Sequence, residues 1–501
     1  MVEGELPVLS SQERTQPGPY RIVIGTGFGI LLSALDSSVV NVSLVTMSVG
    51  FGVEIEQIEW VVLAYLVVLT AAMPLMGKLG DRSGKKKVFQ TGMALFIMGS
   101  AACAMSSQFL VLIAFRVFQA VGASMMTANG LALVTYFTTP DNRGRAIGLN
   151  SVILASALGF GPVVGGILTQ FFGWPSVFLI NIPLGLIGLI VGAVIIQETD
   201  PVKETRFDLL GGTLFFVVLF TAVFMLSLVD IVNVSVIMFL ALIPVTTFVV
   251  FLHRERTFSS PIIPTRVLAD RRISAGFFSA FLSFMAMSPV SFLMPFLLQE
   301  ALGFSQSLTG VYLTAYPLTI AVMGPVSGFI SERVQARRQT VIGLCFQLGG
   351  LVLLGVAMPN IPLMFLSVVV SAVGTGLFTV ANSNFMMTTA PRNYMGVISA
   401  LTNVSRTAAF SIATALSTAV FVFFFVGMNP EGLTSGPEYV NAYIASVRLA
   451  VWTFSLLAGI AVIISALRGV NAVEMDRQAR RISAMTFADR AAQDEHAQAS
   501  N

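Results

Sequence analysis

Long apolar runs separated by short polar segments set the pattern of this chain. Runs of about 20 mostly apolar residues can cross a bilayer as helix. Such runs fall near 20–45, 58–77, 88–106, 109–136, 145–171 and 175–197. Two more lie near 208–229 and 233–252, and six near 274–299, 307–330, 339–358, 361–389, 396–427 and 443–468. They are too long, and alternate too little, for the strands of a barrel. The pattern predicts an all-α polytopic membrane protein of about 14 transmembrane helices.

The polar segments between the runs alternate in charge. One set carries Lys78, Arg82, Lys85, Lys86, Lys87, Arg143, Arg145, Lys203, Arg206, Arg254, Arg256, Arg266, Arg271, Arg272, Arg333, Arg337, Arg338 and Arg392. The other set, near 46–57, 107–108, 172–174, 230–232, 300–306, 359–360 and 428–442, carries no Lys or Arg but holds Glu54, Glu56, Glu431 and Glu438. Cytoplasmic loops are the basic ones. The asymmetry therefore predicts an even number of spans with both termini cytoplasmic.

Composition agrees with a bilayer as solvent. Of 501 residues, 55% are hydrophobic and 11% charged, and the mean hydropathy is +0.85. Soluble domains carry about 25% charged residues. A net charge of +3 is too small to suggest nucleic acid as a partner. Cys103 and Cys345 both lie inside apolar runs and read as buried small hydrophobes. His253 and His496 fall in polar segments and are poor intramembrane proton carriers. Residues 1–19 lack the basic-then-apolar form of a cleaved signal and read as a cytoplasmic leader. Residues 471–501 read as a cytoplasmic tail, helical near Val473–Met485.

The chain also repeats itself. GKLGDRSGKKK at Gly77–Lys87 returns about 251 residues later as GFISERVQARR at Gly328–Arg338. Ala120–Ala123 echoes in Ala372–Thr375, and Gly144 and Gly396 each open a span. The repeat divides the chain into six-helix halves at 20–200 and 257–470, with a two-helix insert at 201–256. Transporters are commonly built from such repeats, with the substrate site between them.

Few residues carry candidate chemistry. Asp36 is the acid deep inside a span, and an intramembrane acid is a functional candidate by default. Desolvation favours a neutral carboxyl and a nearby cation favours the carboxylate, so an acid poised between them can bind and release a proton. Arg116 is the natural counter-charge. At 1.5 Å per residue, Asp36 lies roughly 24 Å along the first span and Arg116 roughly 10 Å from the outer end of the fourth, which puts both in the outer half. Asn41, Gln119, Asn150, Tyr316 and Arg406 are polar candidates for a substrate path. Gly161, Pro162, Gly165 and Gly166 combine a helix-distorting proline with small residues that permit close helix approach. Gly77, Asp81, Arg82 and Gly84 form a short basic loop suited to a conformational latch. No Walker loop, metal-ligand cluster or nucleophile with its base is present. An enzyme is not expected, and no cofactor or metal is called for.

In this order and spacing, four segments and the stretch after the last of them resemble the signatures of the major facilitator superfamily, in particular its fourteen-helix drug:proton antiporter family of the EmrB/QacA type. Leu35–Val42 resembles the first-helix signature, Gly77–Lys87 the loop motif, and Arg116–Gly122 the fourth-helix motif. Gly159–Gly166 resembles the antiporter motif of the fifth helix, and Phe178–Gly185 the stretch that follows it. The resemblance spans residues 20–470. It implies the major facilitator fold and a proton-driven exporter of small lipophilic or amphipathic compounds in a bacterial-type plasma membrane. The partners would be protons, the substrate and the lipid bilayer. A monomer is expected, and a periplasmic adaptor stays an open partner. Two departures stand out. Val334 and Gln335 interrupt the second copy of the loop motif, and the tenth span, Leu308–Ile330, has no acid. A single deep acid suits neutral, amphipathic or anionic substrates better than dications. The rivals are a specific exporter or importer of one metabolite, lipid or siderophore, and a membrane enzyme or receptor.

Overall fold

The computed structural model describes residues 19–138, 140–199, 208–228, 234–258, 269–389 and 395–469. The leader, the tail with its expected helix at Val473–Met485, and residues 200–207 at the first half's edge lie outside this set. Among the described residues, fourteen helices are long and apolar enough to cross a membrane. They are α1 Pro19–Phe51, α2 Ile55–Ser83, α3 Lys85–Ala104, α4 Phe109–Tyr136, α5 Pro140–Phe172, α6 Ser176–Ile195, α7 Leu209–Leu226, α8 Val236–Thr257, α9 Arg271–Ala301, α10 Gln306–Arg333, α11 Ala336–Ala357, α12 Ile361–Thr389, α13 Met395–Met428 and α14 Pro437–Leu467. No strand occurs among the described residues. Their outward faces are apolar, as at Leu186, Ile190 and Val194 of α6, which suits lipid and not water.

The repeat seen in the sequence reappears as repeated contacts. In the first half α1 packs on α5 and α6, α2 on α4, and α3 on α4; in the second half α9 packs on α13 and α14, α10 on α12, and α11 on α12. The closest approaches recur at the same offset. A Cβ on Gly92 would lie 2.8 Å from the Gly122 carbonyl oxygen, and one on Gly343 would lie 2.8 Å from that of Gly374. A Cβ on Gly99 would lie 2.8 Å from Gln119 Cα, and one on Gly350 2.7 Å from Ser371 Cα. These backbones touch because no side chain separates them, the usual basis of tight helix pairing in lipid.

The halves meet along two seams, α5 with α10 and α2 with α13, which the repeat interchanges. Hydrogen bonds across the halves among the described residues all sit at the end whose loops lack Lys and Arg. Gln299 Nε2 donates to the Val42 carbonyl at 3.1 Å, Gln306 Nε2 to Thr46 Oγ1 at 3.4 Å, and the Ser307 N–H to Gln170 Oε1 at 3.2 Å. Close packing on the α5–α10 seam continues from there, with Gly166 against Gln306 and Gly310 against Pro162. Along the rest of α10, Gly324 and Gly328 have open space where a Cβ would go.

Helices α7 and α8 pair with each other, and α7 lies over the α2–α13 seam. Its inward stripe of Phe215, Leu219 and Val223 joins one apolar cluster with Tyr65 and Val67 of α2 and Val404 and Ala408 of α13. Phe220 and Phe224 lean on Trp60 at ring-centroid distances of 6.2 and 6.0 Å. Buried Asp208 caps α7 by accepting the Gly211 N–H at 2.9 Å and also accepts Arg254 Nη2 at 3.2 Å.

Three expectations need correction. The basic segment at Gly77–Lys87 is barely a loop: Gly77, Asp81 and Arg82 sit in the last turns of α2, and α3 begins at Lys85. Gly84 alone makes the turn, at φ +96°, a conformation that favours glycine. Cys345 is exposed on α11, and only Cys103 is buried. Asp36 is also not the only buried acid: Glu59, Asp208 and Glu255 are buried too, each at or near a helix end.

Candidate functional site

Asp36 lies midway along α1, where Arg116 and Gln119 of α4 and Asn181 of α6 converge on it and Ser100 of α3 braces Gln119. Arg116 Nη1 donates to Asp36 Oδ2 at 2.6 Å. Gln119 Nε2 and Asn181 Nδ2 each donate to Asp36 Oδ1 at 2.9 Å. Arg116 is itself held on three sides. Its Nη1 also donates to Gln119 Oε1 at 2.7 Å, its Nε donates to the Val61 carbonyl at 2.8 Å, and its guanidinium lies 4.3 Å from the Tyr65 ring centroid. Gln119 Nε2 also reaches Ser100 Oγ at 2.7 Å. Asp36, Gln119, Ser100 and Asn181 are wholly buried and Arg116 is 1% exposed.

The helix pattern explains this convergence. Arg116 and Gln119 are three apart and so share a face of α4. Gly99, one residue before Ser100, lets α3 press onto Gln119. Gly161 and Gly165 of α5 do the same for α1, since a Cβ there would lie 2.3 Å from Ser38 Oγ and 2.6 Å from the Val39 carbonyl oxygen. Pro162 lies inside α5, between these two contacts. The antiporter-like glycines thus press α5 against the stretch of α1 that carries Asp36.

A buried ion pair of this kind is weak evidence for stability, because desolvating two charges offsets much of their attraction. The second half has no counterpart: in the repeat register Asp36, Arg116 and Gln119 become Met287, Val368 and Ser371. There Ser371 Oγ lies 3.4 Å from Met287 Sδ. Helix α9 is also interrupted at this level, between segments Arg271–Ala286 and Ser288–Phe296.

The other candidates do not join this network. Asn41 Oδ1 has no partner, and neither amide atom of buried Asn150 has one. Tyr316 donates across the second half to Thr375 Oγ1 at 3.3 Å. Arg406 is half-buried on α13, with Nη2 3.5 Å from Asn403 Oδ1. No hydrogen bond links any two of these four, so they do not form a preassembled site. Near the turn, Asp81 pairs with Lys85 one helical turn on, and Arg82 is exposed. The Lys85 N–H donates to Thr199 Oγ1 at 2.9 Å, which ties the turn to the segment following α6. A Cβ on Gly80 would overlap Asn129 Oδ1, and one on Gly77 would rest 3.9 Å from Ala128. Ser100, Asn181 and Tyr65 have no pattern that ties them to Asp36 in sequence. Asn181, in the segment after the antiporter-like glycines, is the one that motif position could have raised.

The family model of the Major Facilitator Superfamily matches residues 26–414 and 276–488. The chain belongs to the major facilitator superfamily. It is 30% identical to the riboflavin transporter RibZ of Clostridioides difficile over 87% of this chain and 94% of that one. It is 28% identical to a methylenomycin A resistance protein of Bacillus subtilis, covering 89% and 96%. It is 27% identical to the multidrug resistance protein Stp of Mycobacterium tuberculosis, covering 84% and 80%. Among solved structures, a bacterial homologue of the lysosomal transporter Spinster superposes with a TM-score of 0.66 at 15% identity, over 90% and 97% of the chains. A D-xylose–proton symporter superposes at 0.63 and 12% identity, over 90% and 99%. This superfamily member is therefore a multi-pass membrane transporter and not an enzyme.

Proposed function

We infer that this superfamily member is a proton-coupled antiporter that exports small lipophilic or amphipathic compounds from the cytoplasm across a plasma membrane. The observation that carries the reading is the buried Asp36–Arg116 pair, which ties α1 to α4 in one half only. With the basic loops cytoplasmic, both termini are inside, and the described arrangement is the one sealed towards the outside. Protonation of Asp36 removes the charge that holds Arg116 and loosens the tie between α1 and α4. That change biases the balance between inward- and outward-facing states. A membrane potential contributes about 2.3 kcal/mol per charge per 100 mV, so one proton sustains roughly a 40-fold substrate gradient from that source alone. Relatives named for methylenomycin A and multidrug resistance support export of unrelated compounds. The riboflavin transporter at 30% identity supports the second reading, a carrier for one metabolite.

Reconstituted vesicles with an imposed pH gradient, screened with chemically unrelated dyes and with riboflavin, separate the two readings. Transport of several dyes supports the first, and transport of riboflavin alone supports the second. Asp36→Asn should abolish proton-driven export while substrate counterflow survives. Proton-driven export that persists in this variant would remove Asp36 as the coupling site.

A further inference from the structure

We propose that Asn181 is a positioning residue for the proton site, its side-chain amide rotating to follow the protonation of Asp36. The inference rests on the reading of Asp36 as the proton carrier. An ionised carboxylate only accepts hydrogen bonds. Asn181 must therefore turn its nitrogen towards it, as the 2.9 Å contact from Nδ2 to Asp36 Oδ1 requires. This leaves Asn181 Oδ1 wholly buried and without a partner.

When a proton adds to Asp36 Oδ1, the new O–H needs an acceptor, and two amide N–H groups now point at it. The neighbouring acceptors are already engaged. Gln119 Oε1 takes the Arg116 Nη1 hydrogen bond, and Ser100 Oγ receives Gln119 Nε2 at 2.7 Å and Asn181 Nδ2 at 3.4 Å. Asn181 Oδ1 is the acceptor at the site with nothing bound to it. A half-turn about the terminal torsion of Asn181 exchanges its oxygen and nitrogen. The contact Nδ2–H···Oδ1 of Asp36 then becomes O–H of Asp36···Oδ1 of Asn181. No other group gains or loses a proton. In either state one end of the Asn181 amide is unmatched, so the residue locks neither form of Asp36 and both remain accessible.

The charged or titratable groups that act on Asp36 from the packed helices are Arg116 of α4, Tyr65 of α2 and Cys103 of α3. None of them presents an unpartnered acceptor to the carboxyl. Arg116 has no acceptor at all, and Tyr65 OH already shares a 3.2 Å hydrogen bond with Ser33 Oγ. Cys103 Sγ points instead at Gln119 Oε1, 3.9 Å away.

The test needs no substrate, because the probe is the proton. Purified protein in lipid is titrated with acid while the infrared C=O band of protonated Asp36 is followed, the band being assigned by its loss in Asp36→Asn. Asn181→Leu and Asn181→Ala remove both the donor to the carboxylate and the acceptor for the acid. Two shifts are expected in each: the C=O band moves to higher frequency as its O–H loses an acceptor, and the titration midpoint rises by about one pH unit. The midpoint rises because the lost bond to the ionised form is the stronger of the two. Asn181→Ser, whose hydroxyl both donates and accepts, should restore the band position and the midpoint. A band lost in Asp36→Asn but unmoved in whichever of the Leu and Ala variants folds overturns the role of Asn181 alone. A band that survives Asp36→Asn overturns the coupling site, and this inference with it.

Discussion

Arg116→Met is the sharpest perturbation of the ion pair, because methionine fills most of the vacated space and the effect isolates the charge. The substitution removes the contacts to Asp36 Oδ2 at 2.6 Å, to Gln119 Oε1 at 2.7 Å and to the Val61 carbonyl at 2.8 Å. Asp36 keeps Gln119 and Asn181 on Oδ1, but Oδ2 is left bare in a wholly buried site. Breaking a buried pair from one side costs about 3–5 kcal/mol, chiefly through the charge left behind. Asp36→Asn costs less, about 2–3 kcal/mol, since its Oδ1 can still accept from Arg116. Its new amide N–H groups, however, face the donors of Gln119 and Asn181. The double variant leaves no charge stranded, so its loss should fall below the sum of the singles by about 1–3 kcal/mol. Equilibrium unfolding in mixed micelles gives the three free energies, and proton-driven transport in vesicles gives the functional counterpart. Losses that add within about 0.5 kcal/mol would refute a coupled pair.

Three further outcomes follow from the packing and the charge pattern. Gly92→Ala and Gly343→Ala should both lower the melting temperature, each placing a Cβ 2.8 Å from a facing carbonyl oxygen, while Gly324→Ala, which meets nothing within 4 Å, should leave it unchanged. A reporter fused after Gly432 should read as external and one fused after Asn501 as cytoplasmic; both on one side would refute the even span count. Asp81→Asn, which removes the pairing with Lys85 at the α2–α3 turn, should slow turnover severalfold with dye binding retained, measured by transport beside equilibrium dialysis.

The spans, their number and the internal repeat were legible in the chain because they rest on local properties. Twenty apolar residues must be helical in lipid, since no water can satisfy an exposed backbone there. Asp36 and Arg116 were legible for a related reason: a charge inside such a run is costly enough to stand out wherever it falls. Their pairing could be anticipated from depth alone, because helix rise converts residue number into height. Height says nothing about azimuth, however. Gln119 reads from sequence as one polar path residue among several, and only the rotation of α4 about its axis turns it onto the carboxylate. Asn181 reaches the same carboxylate from another helix, 145 residues from Asp36 in the chain, and Ser100 of a third helix accepts from Gln119 beside it. Their arrival depends on glycines that set helix separation, such as Gly99 against Gln119. The seal at one end, the cover that α7 lays over a single seam, and the dispersal of Asn41, Asn150, Tyr316 and Arg406 are likewise tertiary. Apolar periodicity fixes that a residue lies in a helix and at what height. Which neighbour it faces is decided by how closely and at what angle the helices pack, and that follows only from fitting all fourteen surfaces together.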